Sequence, residues 1–255
     1  MSGPRPYFDD GQIVLYCGDA RDVLPHLDKV DMIFTDPPYG HNNNSGDLIH
    51  RWEAALGRPP CDSDSSLARP IANDGPEAND LAQWLFKQGA DMLRHGGCCC
   101  CCCCCGGGGP DPQFARWSLW MDQELDFKQM VVWDKGPMGM GWHYRRSYET
   151  VLVGQKPGAA CKWYDETDRI ENIIRHIPKI IPSKSDHPTP KPPELAAHFI
   201  LLHTQPGEVV LDPFNGGGST AVAAKLLGRK YVGVELNENF CEMTVKRLGQ
   251  GVLAL

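Results

Sequence analysis

Short apolar runs alternate with helical spacings along this chain, and each run stops at an acid, a glycine or a proline. Ile13, Val14 and Leu15 within Gln12–Tyr16 predict a strand ended by Gly18-Asp19, and Asp22–Leu27 predicts a short helix. Asp31–Thr35 predicts a second strand that runs straight into Asp36-Pro-Pro-Tyr-Gly40. Two prolines cannot continue a hydrogen-bonded ladder, so this segment is expected to be a rigid loop at the strand's carboxyl end. Leu81–Leu93 has helical spacing and ends at His95-Gly96-Gly97. Cys98–Cys105 follows, where an α/β chain needs its next strand. A helix over Pro112–Leu125, strands over Lys128–Trp133 and Glu149–Gly154, and a helix over Glu194–Leu202 come next, with a short strand or helix near Ile170–Ile177. Val209–Leu211 then predicts a buried strand, Gly216–Gly218 a turn, and Ala221–Leu227 a helix capped by Ser219 or Thr220 and closed by Gly228. Tyr231–Val234 predicts a strand ending at Glu235, and Glu238–Leu248 a final helix.

Two stretches break this rhythm. His41–Asp80 is polar and interrupted by Gly, Pro, Asn and Ser; it reads as a mobile insertion with one short helix around Leu48–Leu56. Gly136–Lys184 mixes aromatics with Lys156, Lys162, Arg169, Arg175, Lys179 and Lys184. At 255 residues, 42% apolar and 22% charged, the chain is expected to form a single catalytic domain (1–255), with 41–80 and 136–186 as its two insertions. A net charge of -7 argues against a non-specific basic binder of nucleic acid but permits a local basic patch. No run approaches the length of a membrane span and the N-terminus has no apolar leader, so the expected compartment is the cytoplasm.

Eight of the twelve cysteines are consecutive, and Cys17, Cys61, Cys161 and Cys241 are scattered. No pair spacing points to zinc or to a disulfide framework, so no metal is expected. The run reads as a buried strand of small hydrophobes. Alternate side chains of a strand face opposite ways, so the run alone cannot converge on one ion.

The chemistry sits in the loops. Strand, glycine turn, helix, strand and acid form a nucleotide-binding unit: Gly216, Gly218 and Ala221 fit G-x-G-x-x-G/A, and Glu235 is placed to accept bonds from ribose hydroxyls. A nicotinamide or S-adenosylmethionine (AdoMet) would both suit it. Asp36-Pro37-Pro38-Tyr39 resembles the catalytic loop of the AdoMet-dependent amino-methyltransferases of DNA, the adenine N6 and cytosine N4 family. Asp212–Thr220 resembles that family's F-x-G-x-G cofactor loop, with Phe214, Gly216 and Gly218 on the pattern, and His187–Pro192 resembles its H-P-T-x-K-P element. The order, catalytic loop before cofactor loop, is similar to the circularly permuted β-branch. Joined notionally end to start, the predicted elements alternate strand and helix without interruption, as a doubly wound sheet requires.

The resemblance implies a Rossmann-like α/β fold with a doubly wound, mostly parallel sheet and a small target-recognition insertion. It implies AdoMet as cofactor, with Asp19 at the adenine end, Glu235 at the ribose, Phe214 packed beside it, and Lys191, Asp212, Asn215, Gly216, Gly218, Ser219 and Thr220 around it. It implies Asp36, Pro37, Pro38 and Tyr39 as catalytic, double-stranded DNA as substrate, a cognate restriction endonuclease as a possible partner, and adenine N6 as the favoured target given aspartate at the first motif position. Trp142-His-Tyr-Arg-Arg146 mixes aromatics with base-edge readers, which marks His143, Arg145 and Arg146 as candidates to contact DNA. Three rivals stand beside this reading: an AdoMet methyltransferase of RNA or protein, a nicotinamide oxidoreductase, which gives Asp36–Tyr39 no role, and an inactive module that binds AdoMet and DNA.

Overall fold

The computed structural model describes residues 3–40, 72, 74, 75, 77–103, 113–136, 147–180 and 191–250. Among them, one sheet holds β1 (Phe8–Asp9), β2 (Ile13–Cys17), β3 (Val30–Thr35), β4 (Leu93–Cys103), β5 (Asp126–Asp134), β6 (Tyr148–Gln155), β7 (Ile173–Ile174), β8 (Val209–Asp212) and β9 (Lys230–Glu235). The helices are α1 (Ala20–Val23), α2 (Ala78–Met92), α3 (Gln113–Glu124), α4 (Pro193–His203), α5 (Ser219–Leu226) and α6 (Glu238–Gly249). The helix expected over Leu48–Leu56, most of the 41–80 stretch, and Cys104 and Cys105 lie outside the described residues. No described helix is long and apolar enough to cross a membrane.

The strand order is β1-β2-β9-β8-β3-β4-β6-β5-β7. β2, β9, β8, β3 and β4 pair in parallel. β6 runs antiparallel to both β4 and β5, and β1 is an antiparallel edge. The sheet is therefore doubly wound and mostly parallel, as the sequence leads one to expect. One face packs on α4 and α5 through Met32, Phe34, Val210 and Tyr231; the other packs on α1, α2 and α3 through Ile33, Leu211 and Val234. Strands buried on both faces need apolar residues at every position, which is why they read as continuous runs. β9 and β2 lie to one side of β8, and β3 and β4 to the other. The order reverses between β8 and β3, and a crevice opens at the carboxyl ends of such a pair.

Three local expectations are corrected. β4 starts at Leu93, directly after α2, and Gly96-Gly97 do not end the helix but form a bulge inside the strand. The pairing jumps there from Val30↔Leu93 to Met32↔Cys98. A Cβ at Gly97 would sit 2.7 Å from the Asp31 carbonyl oxygen, so only glycine lets β3 approach. Secondly, Ser219 and Thr220 do not cap α5: the helix starts at Ser219 and the cap is Gly218, with φ +78°. Both hydroxyls hold other segments, as described below. Thirdly, the predicted helix Asp22–Leu27 is a single α turn, Ala20–Val23, followed by a tighter 3-10 turn over Leu24–His26 that Pro25 opens. Near Ile170–Ile177 the short element is β7.

Candidate active site

The loops after β2, β3 and β8, the tip of β9 and the segment before α4 line one cleft. Asp19, Asp36, Pro37, Pro38, Tyr39, Lys191, Asp212, Phe214, Asn215, Gly216, Ser219, Thr220 and Glu235 all face it. Among the expected residues described, Gly218 alone sits behind it. His143, Arg145, Arg146 and His187–Pro190 lie outside the described residues.

The β8–β9 side of the cleft is shaped by Glu235, Asn215 and Gly216. Glu235 accepts bonds from the amides of Gly216 (2.7 Å) and Asn237 (2.8 Å), one on each oxygen. Each oxygen keeps a further lone pair. Burial pushes this carboxyl up to about 7. Asn215 is locked in place: its amide nitrogen donates to the Gly216 carbonyl (2.9 Å) and Thr244 Oγ1 (2.8 Å), and its oxygen accepts from the Tyr231 hydroxyl (2.9 Å). Asp19 caps α1 by accepting from the Arg21 amide at 2.8 Å, and Arg21 holds its carboxyl below the usual range. It thus serves as a helix cap while facing the cleft.

Asp212 is used differently from its neighbours. Its buried carboxylate accepts from Thr35 Oγ1 (2.8 Å), Thr220 Oγ1 (2.7 Å) and the Phe214 amide (3.1 Å). Burial, with Asp36 nearby, pushes it up to about 6 despite those donors. It ties the end of β3 to the start of α5, which sets the Asp36–Tyr39 loop against the Phe214–Gly218 turn. Ser219 makes a second tie, donating to the Lys191 carbonyl at 2.6 Å.

On the β3 side, Lys191 Nζ donates to Asp36 Oδ2 at 2.6 Å, and the Tyr39 hydroxyl donates to Asp36 Oδ1. Lys191 Nζ also lies 5.4 Å from the Tyr39 ring centroid, and Trp117 packs 6.2 Å from the same ring. Sequence reasoning missed three residues here. Glu149, at the start of β6, lies 3.4 Å from Lys191 through Oε2 and 2.6 Å from Lys135 through Oε1. Its burial would raise its pKa, but the two lysines outweigh that and hold it at about 2. Lys135 completes the chain of charges. Asp74 accepts from the amides of Tyr39 (2.9 Å) and Gly40 (2.8 Å), so the carboxyl end of the 41–80 stretch holds the Asp36–Gly40 loop. No motif spacing marks Glu149 or Asp74. The one available signal was an acid beside a basic-aromatic segment.

The basic residues of 136–184 do not all serve one patch. Lys162 pairs with Asp31 (2.9 Å) and Glu208 (2.5 Å) at the amino ends of β3 and β8, opposite the cleft. Lys156 donates to the Ala90 carbonyl and Arg175 pairs with Glu171 at 2.7 Å.

A glycine turn and the strand-end acid Glu235 thus lie across one cleft from a carboxylate–proline–aromatic loop. The DNA methylase family, the N6/N4 methyltransferases, matches residues 30–246. The chain belongs to this family. It is an AdoMet-dependent DNA methyltransferase acting on an amino nitrogen. The type II methyltransferase M2.MboI of Moraxella bovis is 25% identical over 95% of this chain and 90% of the relative. The DNA adenine methyltransferase YhdJ of Escherichia coli is 24% identical over 96% of this chain and 85% of the relative. The solved complex of M1.HpyAVI with AdoMet shares the fold, with a TM-score of 0.67 at 23% identity over 93% of this chain and 99% of that one.

Proposed function

We propose that this methyltransferase modifies the N6 amino group of adenine at a specific duplex sequence, with the base turned out of the helix into the cleft beside Asp36. The observation that carries the reading is the placement of Asp36. Its carboxylate stands at the carboxyl end of β3, next to the switch point with β8, facing the cleft that Glu235 and Gly216 line.

An aromatic amine is a weak nucleophile because its lone pair is delocalised into the ring. Asp36 and the Pro37 carbonyl each accept one of its N–H bonds, which localises the lone pair toward the methyl donor and stabilises positive charge growing on nitrogen. Pro37 and Pro38 keep both acceptors in place with little reorganisation. Nitrogen then forms its bond to the methyl carbon as the sulfur–carbon bond breaks and its electron pair returns to sulfur. The proton shed by nitrogen leaves along the bond to Asp36 and passes to solvent. AdoMet is activated by its own sulfonium, so the protein's main contribution is in-line positioning. Tyr39 supplies the aromatic wall for the extruded base.

On the cofactor side, Glu235 accepts from the ribose hydroxyls, Asp19 meets the adenine end, and Phe214 packs beside the ligand. Asn215, Gly216 and Gly218 shape the turn. Asp212, Ser219 and Thr220 tie the loops, and Lys191 bridges them to Asp36. His143, Arg145 and Arg146 are assigned to base reading because aromatics and two guanidinium groups cluster there. The type II name of the Moraxella relative supports a restriction endonuclease with the same recognition sequence as the biological partner.

The test is methyl transfer from labelled AdoMet to unmodified duplex DNA, followed by nucleoside analysis. Label in N6-methyladenine is expected. Label in N4-methylcytosine would keep the mechanism and change the base. Asp36→Ala is expected to lower turnover by at least about a hundredfold, with AdoMet affinity within a few-fold of the parent. Full turnover in that variant would remove Asp36 from the chemistry.

A further inference from the structure

The cysteine strand presents two different faces. Cys99, Cys101 and Cys103 pack among the apolar side chains of the α2 and α3 layer, where small hydrophobes are all that is required. Cys98 and Cys100 face the α4 layer, and their neighbours are not only apolar. Cys98 Sγ and Cys100 Sγ are 3.8 Å apart. With a ring nitrogen of His203, the last residue of α4, they form a buried group whose three ligand atoms lie within 4.8 Å of one another. Cys161, on the segment after β6, adds a fourth donor: its Sγ lies 3.7 Å from His203 Nδ1, and its thiol also interacts with that of Cys98. Three buried donors from β4 and α4 thus converge, and half-buried Cys161 of the 156–164 segment stands beside them, against His203.

We propose that Cys98, Cys100, Cys161 and His203 are a structural binding site for one zinc ion. Three cysteines and one histidine are a recognised structural zinc set, and thiolates select zinc over harder cations. Tetrahedral coordination at about 2.3 Å to sulfur and about 2.0–2.1 Å to nitrogen places ligand atoms roughly 3.6–3.8 Å apart. The sulfur–sulfur and sulfur–nitrogen separations of 3.8 and 3.7 Å already match those edges. Four protein ligands leave no open position, so the ion has a holding role and no catalytic one.

A strand alone cannot surround an ion. Here residues i and i+2 supply one edge and two other segments supply the rest. His203 Nδ1 also lies 3.0 Å from the Lys162 carbonyl oxygen. Nδ1 is also the nitrogen 3.7 Å from Cys161 Sγ, so coordination through it would replace the contact with the Lys162 carbonyl. On binding, each of the three thiols gives its proton to solvent and donates a sulfur lone pair to the ion; the imidazole binds neutral. The ion would pin the end of α4 to β4. The other end of that helix follows Lys191-Pro192, so the staple would steady the segment that reaches Asp36.

The full chain, reduced and stripped with a chelator, is reloaded with zinc or, separately, cobalt(II). Bound metal is counted by mass spectrometry after desalting. One zinc per chain is expected, and cobalt is expected to give strong tetrahedral bands with thiolate charge-transfer absorption. Cys161→Ser and His203→Ala are each expected to weaken zinc binding at least about tenfold. The double variant Cys99→Ser/Cys101→Ser, which alters the opposite face of β4, is expected to bind as the parent does. No retained zinc in the parent, or a weak octahedral cobalt spectrum, overturns the proposal. So does zinc that survives both ligand variants but is lost from the opposite-face pair. If a ligand variant fails to fold, the parent's cobalt spectrum decides.

Discussion

At the scale of single residues, the site is a balance of half-buried charges around Lys191. Loss of solvent alone would lower the pKa of this ammonium, but Asp36 and Glu149 together hold it well above its usual value. Glu149→Gln removes one of its two anionic partners, so Lys191 leans more heavily on Asp36 and draws electron density from the oxygens that, in the proposed mechanism, accept the substrate's N–H. Turnover is expected to fall about tenfold to a hundredfold, with AdoMet affinity unchanged in a binding titration; a matching loss of affinity would place Glu149 on the cofactor side instead. Glu235 gives a pH prediction. Its carboxyl is protonated below about 7 in the ligand-free protein, and ribose hydroxyls prefer the ionised acceptor, so binding releases a proton below that pH. AdoMet affinity is expected to rise by up to about tenfold per pH unit toward 7 and then level off. Calorimetry from pH 5.5 to 8.5 checks this, and Glu235→Gln should flatten the profile. The sign for stability is opposite: the native state holds the extra proton between the ordinary carboxylate range and about 7, so this group costs stability as pH rises through that window. Asp36 could be found in the sequence because it ends an apolar run at a proline loop, and Glu235 because it ends the strand that follows the glycine turn and its helix. Glu149 and Asp74 could not, since each acts on a partner far along the chain and nothing local requires an acid at either position.

At the scale of elements, the apolar runs located the core strands and most helices, because burial on both faces leaves little choice of residue. The details that failed are those set by partners from elsewhere in the chain. Gly96-Gly97 has the composition of a helix stop, yet β3 approaches so closely that the pair becomes a bulge. Ser219 and Thr220 have the chemistry of caps, yet Lys191 and Asp212 claim their hydroxyls, and α5 starts from Gly218. That start is testable. Gly218 has φ +78°, and a Cβ there would lie 2.6 Å from Thr244 Oγ1 and 3.0 Å from Thr244 Cβ. Gly218→Ala combines a left-handed alanine with a collision against α6, and is expected to cost about 1–3 kcal/mol from the backbone alone. Denaturant unfolding should show that loss or more, together with weaker AdoMet binding, since Ser219 and the turn move with the cap. An unchanged midpoint would mean that α6 gives way without cost.

At the scale of the whole molecule, the fold is closed at the end opposite the cleft by Asp31. Its buried carboxylate accepts from Arg94 Nη1 (2.6 Å), Lys162 Nζ (2.9 Å) and the Val209 amide (2.9 Å). These belong to β4, to the segment after β6 and to β8, so one side chain ties together pieces from both ends of the permuted order. Burial pushes Asp31 up, but the three donors outweigh it and hold the carboxyl below its usual range. The native state therefore binds its proton less readily than the unfolded chain does. The stabilisation is fully present above the unfolded value near 4 and is lost as pH falls through the lower native value. Arg94 and Lys162 are partly exposed, so removal of the charge should cost less than the 3–5 kcal/mol of a fully buried pair, about 2–3 kcal/mol. For a chain of this size that corresponds to roughly 5–10 °C in melting temperature. Asp31→Asn is thus expected to melt earlier at neutral pH and to lose part of the parent's acid sensitivity below pH 4, because the titrating group is gone. AdoMet binding at a temperature where both proteins are folded should be nearly the same, since the cluster lies at the far ends of the strands. A variant that kept its melting temperature but lost cofactor binding would show that the two ends of the sheet are coupled through β3 and β8.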